Sequence, residues 1–131
     1  MGRLFPLPML LVPALAGCDM VGCENDVLNV VMAPDGRHAA FVYRRNCGAT
    51  TGYSTQVSIE ADAGALPAEP DNILVLGDEP VSVQWLGADR LLIGYRRGAR
   101  PAFQEHERDG VRIFYRAQQG PDHPTPEDLQ R

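Results

Sequence analysis

The sequence contains no lysine: its twelve basic residues are all arginines, against seventeen acidic residues, and the formal net charge is −5. Nucleic-acid phosphates favour proteins with clustered positive charge, so an acidic chain is a poor candidate for binding them. We therefore expect no nucleic-acid partner.

The motifs of common catalytic and cofactor sites are also missing. Neither the Gly-Lys-Ser/Thr of a phosphate-binding loop nor the Gly-x-Ser-x-Gly of a serine hydrolase occurs. The cysteines and histidines form no CxxC or HxxxH pair, so no metal site is indicated. We expect a non-enzymatic protein without a cofactor. A hydrolase stays an alternative only if a pocket joins His38 or His106 to a carboxylate and a hydroxyl.

No hydrophobic run is long enough to span a membrane. The N-terminal apolar run, residues 4–14, is shorter than the roughly 20 residues that a spanning helix needs, and it contains three prolines. It follows Arg3 and leads into Leu15-Ala16-Gly17-Cys18, as in a secretory signal. This tetrad resembles the lipobox of bacterial lipoprotein precursors. The alternative is an ordinary cleaved signal followed by a coincidental cysteine.

The lipobox resemblance implies a compartment and an anchor. Residues 1–17 would be a signal peptide, and Cys18 would carry a diacylglyceryl group and become the acylated N-terminus, so that the membrane is a partner. Residues 18–26 would form the lipidated N-terminus and a short leash in the cell envelope, facing the periplasm or the exterior. Asp19 slightly favours the inner membrane.

Three cysteines occur in all, and lipidation of Cys18 leaves Cys23 and Cys47 as a pair. Exported domains lie where disulfides persist. We predict a Cys23–Cys47 disulfide, with two free buried thiols as the alternative.

Alternating apolar and polar residues between turn signals predict an all-β domain over residues 27–116. We expect a small antiparallel meander or sandwich of about six or seven strands. The expected strands are residues 27–32, 38–45, 54–60, 72–76, 81–85, 90–96 and 111–116. Prolines and acidic residues in 117–131 predict a disordered tail.

An internal similarity at an offset of 52 residues suggests two blade-like hairpins. Residues 31–45 read VMAPDGRHAAFVYRR, and residues 83–97 read VQWLGADRLLIGYRR. Both segments read as strand, turn and strand, and both close on Tyr-Arg-Arg. Coincidence is the alternative, since any two hairpins share alternation.

The chain also resembles a family of small bacterial lipoproteins of unknown function. The matching residues are Cys23-Glu24-Asn25, Pro34-Asp35-Gly36, the run CGATTGYSTQV at residues 47–57, and Trp85-Leu86 with Leu91-Leu92-Ile93. The resemblance implies a two-cysteine framework and a single β domain, and it implies no catalytic residues.

Two groups of residues are candidates for binding. Residues 48–55 combine glycines with the hydroxyls of Thr50, Thr51, Ser54 and Thr55, which suits a cell-wall or glycan fragment or, alternatively, a turn that satisfies its own backbone. The second group is a basic patch that would meet an envelope protein, anionic lipid or cell-wall carboxylates. Its alternative is a set of solvated strand ends paired with nearby acids. The patch comprises Arg44, Arg45, Arg96, Arg97 and Arg100.

Overall fold

The computed structural model describes residues 2, 22–48 and 52–118, and these residues form nine β-strands and no helix. The strands are β1 (Glu24–Met32), β2 (Ala39–Asn46), β3 (Tyr53–Glu60), β4 (Asn72–Leu76), β5 (Val81–Gly87), β6 (Arg90–Arg96), β7 (Phe103–Gln104), β8 (Glu107–Arg108) and β9 (Val111–Gln118). The first sheet has the order β1-β2-β3-β4-β7, and the second has the order β5-β6-β9-β8. The predicted all-β class is therefore confirmed.

The structure has more strands than the expected six or seven, and some strands are longer. Strands β7 and β8 have two residues each and lie between residues 98 and 109, where none of the expected strands falls. Strand β1 begins at Glu24, inside the predicted leash, and β9 ends at Gln118 rather than at residue 116. Strand β7 has no local pattern because its partner is the distant strand β4, whereas β8 pairs with β9 directly across the Asp109-Gly110 turn.

One strand pair departs from the expected antiparallel arrangement. Strands β6 and β9 run parallel, whereas the other paired strands of the two sheets run antiparallel. A parallel pair needs a long crossover connection. Residues 97–110 supply it, and they reach the first sheet at β7 before β8 returns to the second.

A single core lies between the two sheets, so the domain is a β-sandwich. The buried side chains of this core come from both sheets. They are Ala40, Val42, Val57, Ile59, Ile73, Leu74 and Leu76 of the first sheet and Leu91, Ile93, Val111 and Ile113 of the second. Trp85, on β5, packs against this core and donates a 2.8 Å hydrogen bond from Nε1 to the carbonyl of Val31 on β1.

A second, smaller cluster lies on the outward face of the first sheet, the face turned away from the second sheet. Ala39, Phe41 and Tyr43 of β2 pack there against Ala63 and Leu66 of the loop between β3 and β4. The loop between β3 and β4 thus covers β2, which is buried on both faces. Burial also raises the pKa of the Tyr43 hydroxyl to about 12.

The predicted disulfide is confirmed: Cys23 is bonded to Cys47. Cys23 immediately precedes β1, and Cys47 immediately follows β2. The bond therefore joins the open ends of the β1–β2 hairpin, next to the Glu24–Asn46 pair.

Both segments of the internal similarity form hairpins, one at the edge of each sheet. Their registers differ by one residue. Val31 lies opposite Ala40, whereas Val83 lies opposite Ile93, the counterpart of Phe41 at the offset of 52. The two hairpins therefore share a strand–turn–strand plan without being superposable residue by residue.

None of the described segments contains a helix that is long and apolar enough to cross a membrane. Cys18 lies outside the described residues, as does all of the predicted signal peptide except Gly2. The part of the predicted tail after Gln118 also lies outside them.

Candidate binding site

Several strands meet at the end of the sandwich that carries the Cys23–Cys47 disulfide, which we call the disulfide end. Strands β2, β4, β6 and β9 finish there, and β1, β3 and β5 begin there. The turn at residues 77–80 joins the two sheets by connecting β4 to β5. The residues at strand ends that are far apart in sequence are therefore neighbours in space.

The first arginine of each Tyr-Arg-Arg sequence pairs with this turn. Arg44 Nη2 lies 3.1 Å from Asp78 Oδ1, and Arg96 contacts Glu79 through both Nη2, at 2.7 Å, and Nε, at 3.0 Å. The hydrogen bond from Arg96 lowers the pKa of Glu79 below its ordinary value. For Arg44 and Arg96, the structure therefore agrees with the alternative to a binding patch, in which arginines at strand ends pair with nearby acids.

The other arginines of the predicted patch are not paired in this way. Arg45, Arg97 and Arg100 have no carboxylate within 4.0 Å among the described residues, and the same holds for Arg116 at the end of β9. Their positive charges are therefore not neutralised by a contact within the described part of the domain.

A depression of about 260 Å³ lies where β6 and β9 end. We call it the arginine–tyrosine depression. It is lined by Tyr95, Arg96, Arg97, Gly98, Ala99, Tyr115, Arg116 and Ala117. Gly98 has a positive φ of 87°, a conformation that favours glycine, and the Ala99 amide donates to the Arg96 carbonyl across the turn. This turn holds Arg97 at the mouth of the depression.

The two tyrosine rings of the depression are held in place by the residues around them. Their centroids are 6.0 Å apart, and the planes are tilted by 58°. Tyr115 Oη donates to the Glu105 carbonyl at 2.6 Å, and Tyr95 Oη accepts a 3.3 Å hydrogen bond from Gln104 Nε2. His106 contacts the Tyr115 ring edge-on, with centroids 5.5 Å apart. The rings are thus held by contacts with Gln104, Glu105 and His106.

The charge of the depression comes from its arginines. Burial raises the pKa of Tyr115 well above its ordinary value, so this hydroxyl stays neutral. A guanidinium presents a planar fork of donors that matches two oxygens of a carboxylate or phosphate. Arg97 and Arg116 are therefore suited to bind an anion at the edge of the depression. Arg116 follows the inward-facing Tyr115 on β9 and also lines a groove on the outward face of the second sheet, so its guanidinium reaches the depression from the end of the strand.

The predicted ligand-binding loop contributes less to the surface than its hydroxyls suggest. Thr55 is only 2% exposed, and Ser54 Oγ accepts a 2.8 Å hydrogen bond from Gln56 Nε2. Thr50 and Thr51 lie outside the described residues. The hypothesis of glycan binding by this loop therefore depends on those two threonines.

The chain matches no protein-family model, no curated protein and no solved structure. What it binds must therefore be inferred from its own residues. Among those that the structure describes, no group of three or more His, Cys, Asp or Glu side chains could hold a metal ion. Neither His38 nor His106 lines the arginine–tyrosine depression.

Sequence reasoning missed Arg116, Tyr95 and Tyr115 as members of a site. The segments 95–97 and 115–117 meet only because β9 pairs in parallel with β6, with Ile93 opposite Tyr115 and Arg96 opposite Gln118. A signal was present, since Tyr115-Arg116 repeats the Tyr-Arg that ends β2 and β6. The third copy of this dipeptide marks the strand that completes the depression.

Proposed function

We propose that the protein is a membrane-anchored lipoprotein of the cell envelope and that its β-sandwich is a non-enzymatic interaction module. The observation that carries the proposal is the cysteine pairing. The bond between Cys23 and Cys47 leaves Cys18, the last residue of Leu15-Ala16-Gly17-Cys18, as the single remaining cysteine. A disulfide also fits an oxidising compartment outside the cytoplasm.

The proposed anchor gives a role to Cys18, the cysteine that is not part of the disulfide. Its Sγ would form a thioether to a diacylglyceryl group, the peptide bond before it would be cut, and the new N-terminus would be acylated. One acyl chain holds a protein only marginally, whereas two or three hold it stably. The domain would then stay at the membrane throughout its life, and Asp19 favours the inner membrane.

The first test is the intact mass of the protein extracted from membranes. We expect a mass that lacks residues 1–17 and gains two or three acyl chains. Alkylation should add two groups only after reduction, because Cys23 and Cys47 are bonded to each other. A Cys18→Ser variant, in which the disulfide is kept, serves as the matched control and should gain no acyl chain. An unprocessed chain with three alkylatable thiols would contradict the proposal.

The edge strand β1 is the surface that supports an interaction role. Val27, Val30 and Met32 lie opposite Tyr43, Phe41 and Ala39 and so share the outward face with them, whereas Asp26 and Asn29 lie opposite inward residues. The outward side chains, with Leu28 at the bulge, are from 37% to 56% exposed. An exposed apolar edge strand is a template for strand addition. We propose that an extended, apolar segment of an envelope protein pairs with β1.

Substitutions on β1 test this surface. We expect Val30→Glu with Met32→Glu to abolish binding of the partner by the membrane-extracted protein, because the charges would replace apolar contacts with the neighbouring side chains of the added strand on the same face of the sheet. The matched control is Leu86→Glu with Phe114→Glu, two apolar residues of similar exposure on the second sheet. Slower hydrogen exchange of the β1 amides on binding should identify strand addition. Equal loss of binding in both double variants, or unchanged exchange in β1, would argue against it.

A further inference from the structure

The disulfide end carries a cluster of arginines in a domain that is acidic overall. Five arginines lie at the strand ends there, and within the described part of the chain Arg44 and Arg96 are the two of the five that form ion pairs, both with the turn at residues 77–80. The five are Arg44, Arg45, Arg96, Arg97 and Arg116. At the opposite end, the turns carry aspartates, namely Asp35, Asp62, Asp89 and Asp109. Acidic residues also lie at the disulfide end, namely Glu24, Asp26, Asp78 and Glu79, and arginines also lie at the opposite end, namely Arg37, Arg90 and Arg112. The argument for the disulfide end therefore depends on its individual arginines and not on a division of the domain into a positive and a negative half.

The anchor would hold the disulfide end close to the lipid head groups. Cys18 precedes Cys23 by five positions, and an extended chain spans at most about 3.5 Å per residue, or about 17 Å in all. Cys23 is in turn bonded to Cys47 at the disulfide end. The end that faces the membrane thus includes three arginines without an ion pair among the described residues, Arg45, Arg97 and Arg116, and this step rests on the proposed anchoring of Cys18.

We propose that the arginine–tyrosine depression binds the phosphate of an anionic phospholipid head group in the membrane to which the protein is anchored. Arg97 and Arg116 provide guanidinium donors that are not neutralised by a described carboxylate, and both line the depression. Tyr95 and Tyr115 provide an aromatic surface for the glycerol portion of the head group. Binding there fixes the orientation of the sandwich, with the disulfide end facing the membrane.

The test uses the membrane-extracted protein in detergent, titrated with water-soluble dihexanoyl phosphatidylglycerol and followed by native mass spectrometry. We expect one lipid to bind, and dihexanoyl phosphatidylcholine, whose head group has no net charge, to bind much more weakly. An arginine near an anionic lipid surface contributes about 1 kcal/mol, so Arg97→Gln with Arg116→Gln should weaken binding about thirty-fold. Thermal melting should show that this exposed pair leaves the fold intact.

The matched control is Arg37→Gln with Arg112→Gln. Both of these arginines are exposed at the opposite end, and neither guanidinium has a carboxylate within 4.0 Å among the described residues. The change of net charge is the same, so lipid affinity should stay within about two-fold of the unmodified protein if the site is local. An equal loss in the control pair, or equal affinity for the choline lipid, would overturn the proposal.

Two further measurements complete the test. One distinguishes a lipid phosphate from a free phosphate, and the other distinguishes failure of this site from failure of the proposed anchor. Inorganic phosphate and glycerol phosphate are titrated as competitors. Displacement of the lipid by either one at equal concentration would show that the site takes a free phosphate, which overturns the assignment to lipid. Because acyl chains on Cys18 are measured by mass and lipid binding by titration, failure of the anchor and failure of this site give different results.

Discussion

Loss of the Cys23–Cys47 disulfide is expected to lower the free energy of unfolding by about 3 kcal/mol. The bond closes a loop with a sequence separation of 24, and it reduces the conformational entropy of the unfolded chain. It also holds together the ends of β1 and β2, where the ladder finishes with the polar pairs Glu24–Asn46 and Asn25–Arg45. Those pairs bury little apolar surface, so the covalent bond is what keeps this end of the hairpin closed.

Thermal unfolding of a Cys23→Ala, Cys47→Ala double variant measures this effect. We expect the midpoint to fall by roughly 15 °C, from the usual relation between stability and midpoint in a domain of this size. Cys18→Ser, which leaves the disulfide intact, should unfold at the same temperature as the unmodified chain. Hydrogen exchange should show the β1 amides nearest Cys23 opening first in the double variant. An unchanged midpoint would mean that the bond adds nothing to stability.

Replacement of Trp85, the only tryptophan, by alanine is expected to cost about 3 kcal/mol of stability. Trp85 lies on β5 of the second sheet and packs against the shared core. Its Nε1 donates to the Val31 carbonyl on β1 of the first sheet. Alanine would therefore leave a cavity between the sheets and remove a hydrogen bond that joins them.

Two further variants separate these contributions. Trp85→Phe keeps most of the packing and loses the donor, so a cost of about 1–2 kcal/mol is expected from the Val31 carbonyl that loses its partner. Leu86→Ala, one residue further along β5, removes a side chain that is 44% exposed and should change stability by about 0.5 kcal/mol or less. Urea unfolding gives all three values. A cost for Leu86→Ala as large as that for Trp85→Ala would contradict the assigned role of the tryptophan.

The strands that the sequence predicts are those in which a local pattern and a turn signal coincide. In β3, Thr55, Val57 and Ile59 alternate with polar residues, and the β1–β2 turn contains Pro34-Asp35-Gly36. Even in β3, however, the alternation of apolar and polar residues does not predict every buried side chain. Gln56 and Ser58 are also buried, because residues on the outward face of the first sheet are covered by the loop after β3. A covering loop has no periodic signature, so its effect cannot be predicted from the strand.

The candidate site likewise contains residues that the sequence predicts and residues that only the tertiary structure brings together. The arginine patch was predicted from two similar strand ends, and the structure brings Arg96 and Arg97 to the arginine–tyrosine depression. Arg44 pairs with the β4–β5 turn instead. Arg116 completes the depression only through the parallel pairing of β9 with β6, which depends on the crossover through residues 97–110. A crossover is a property of the whole chain, and the residues it brings together are not neighbours in any local pattern.

The sequence by itself determined the all-β class, the main hairpins and the Cys23–Cys47 pair, because alternation, turn residues and cysteine number act over a few residues or by simple counting. The tertiary structure decided which strands pair, in which direction and in which register. It therefore also decided which arginines are neutralised and which line the depression. The physical reason is that strand partners are chosen by burial in a shared core, and that burial depends on side chains from both sheets at once.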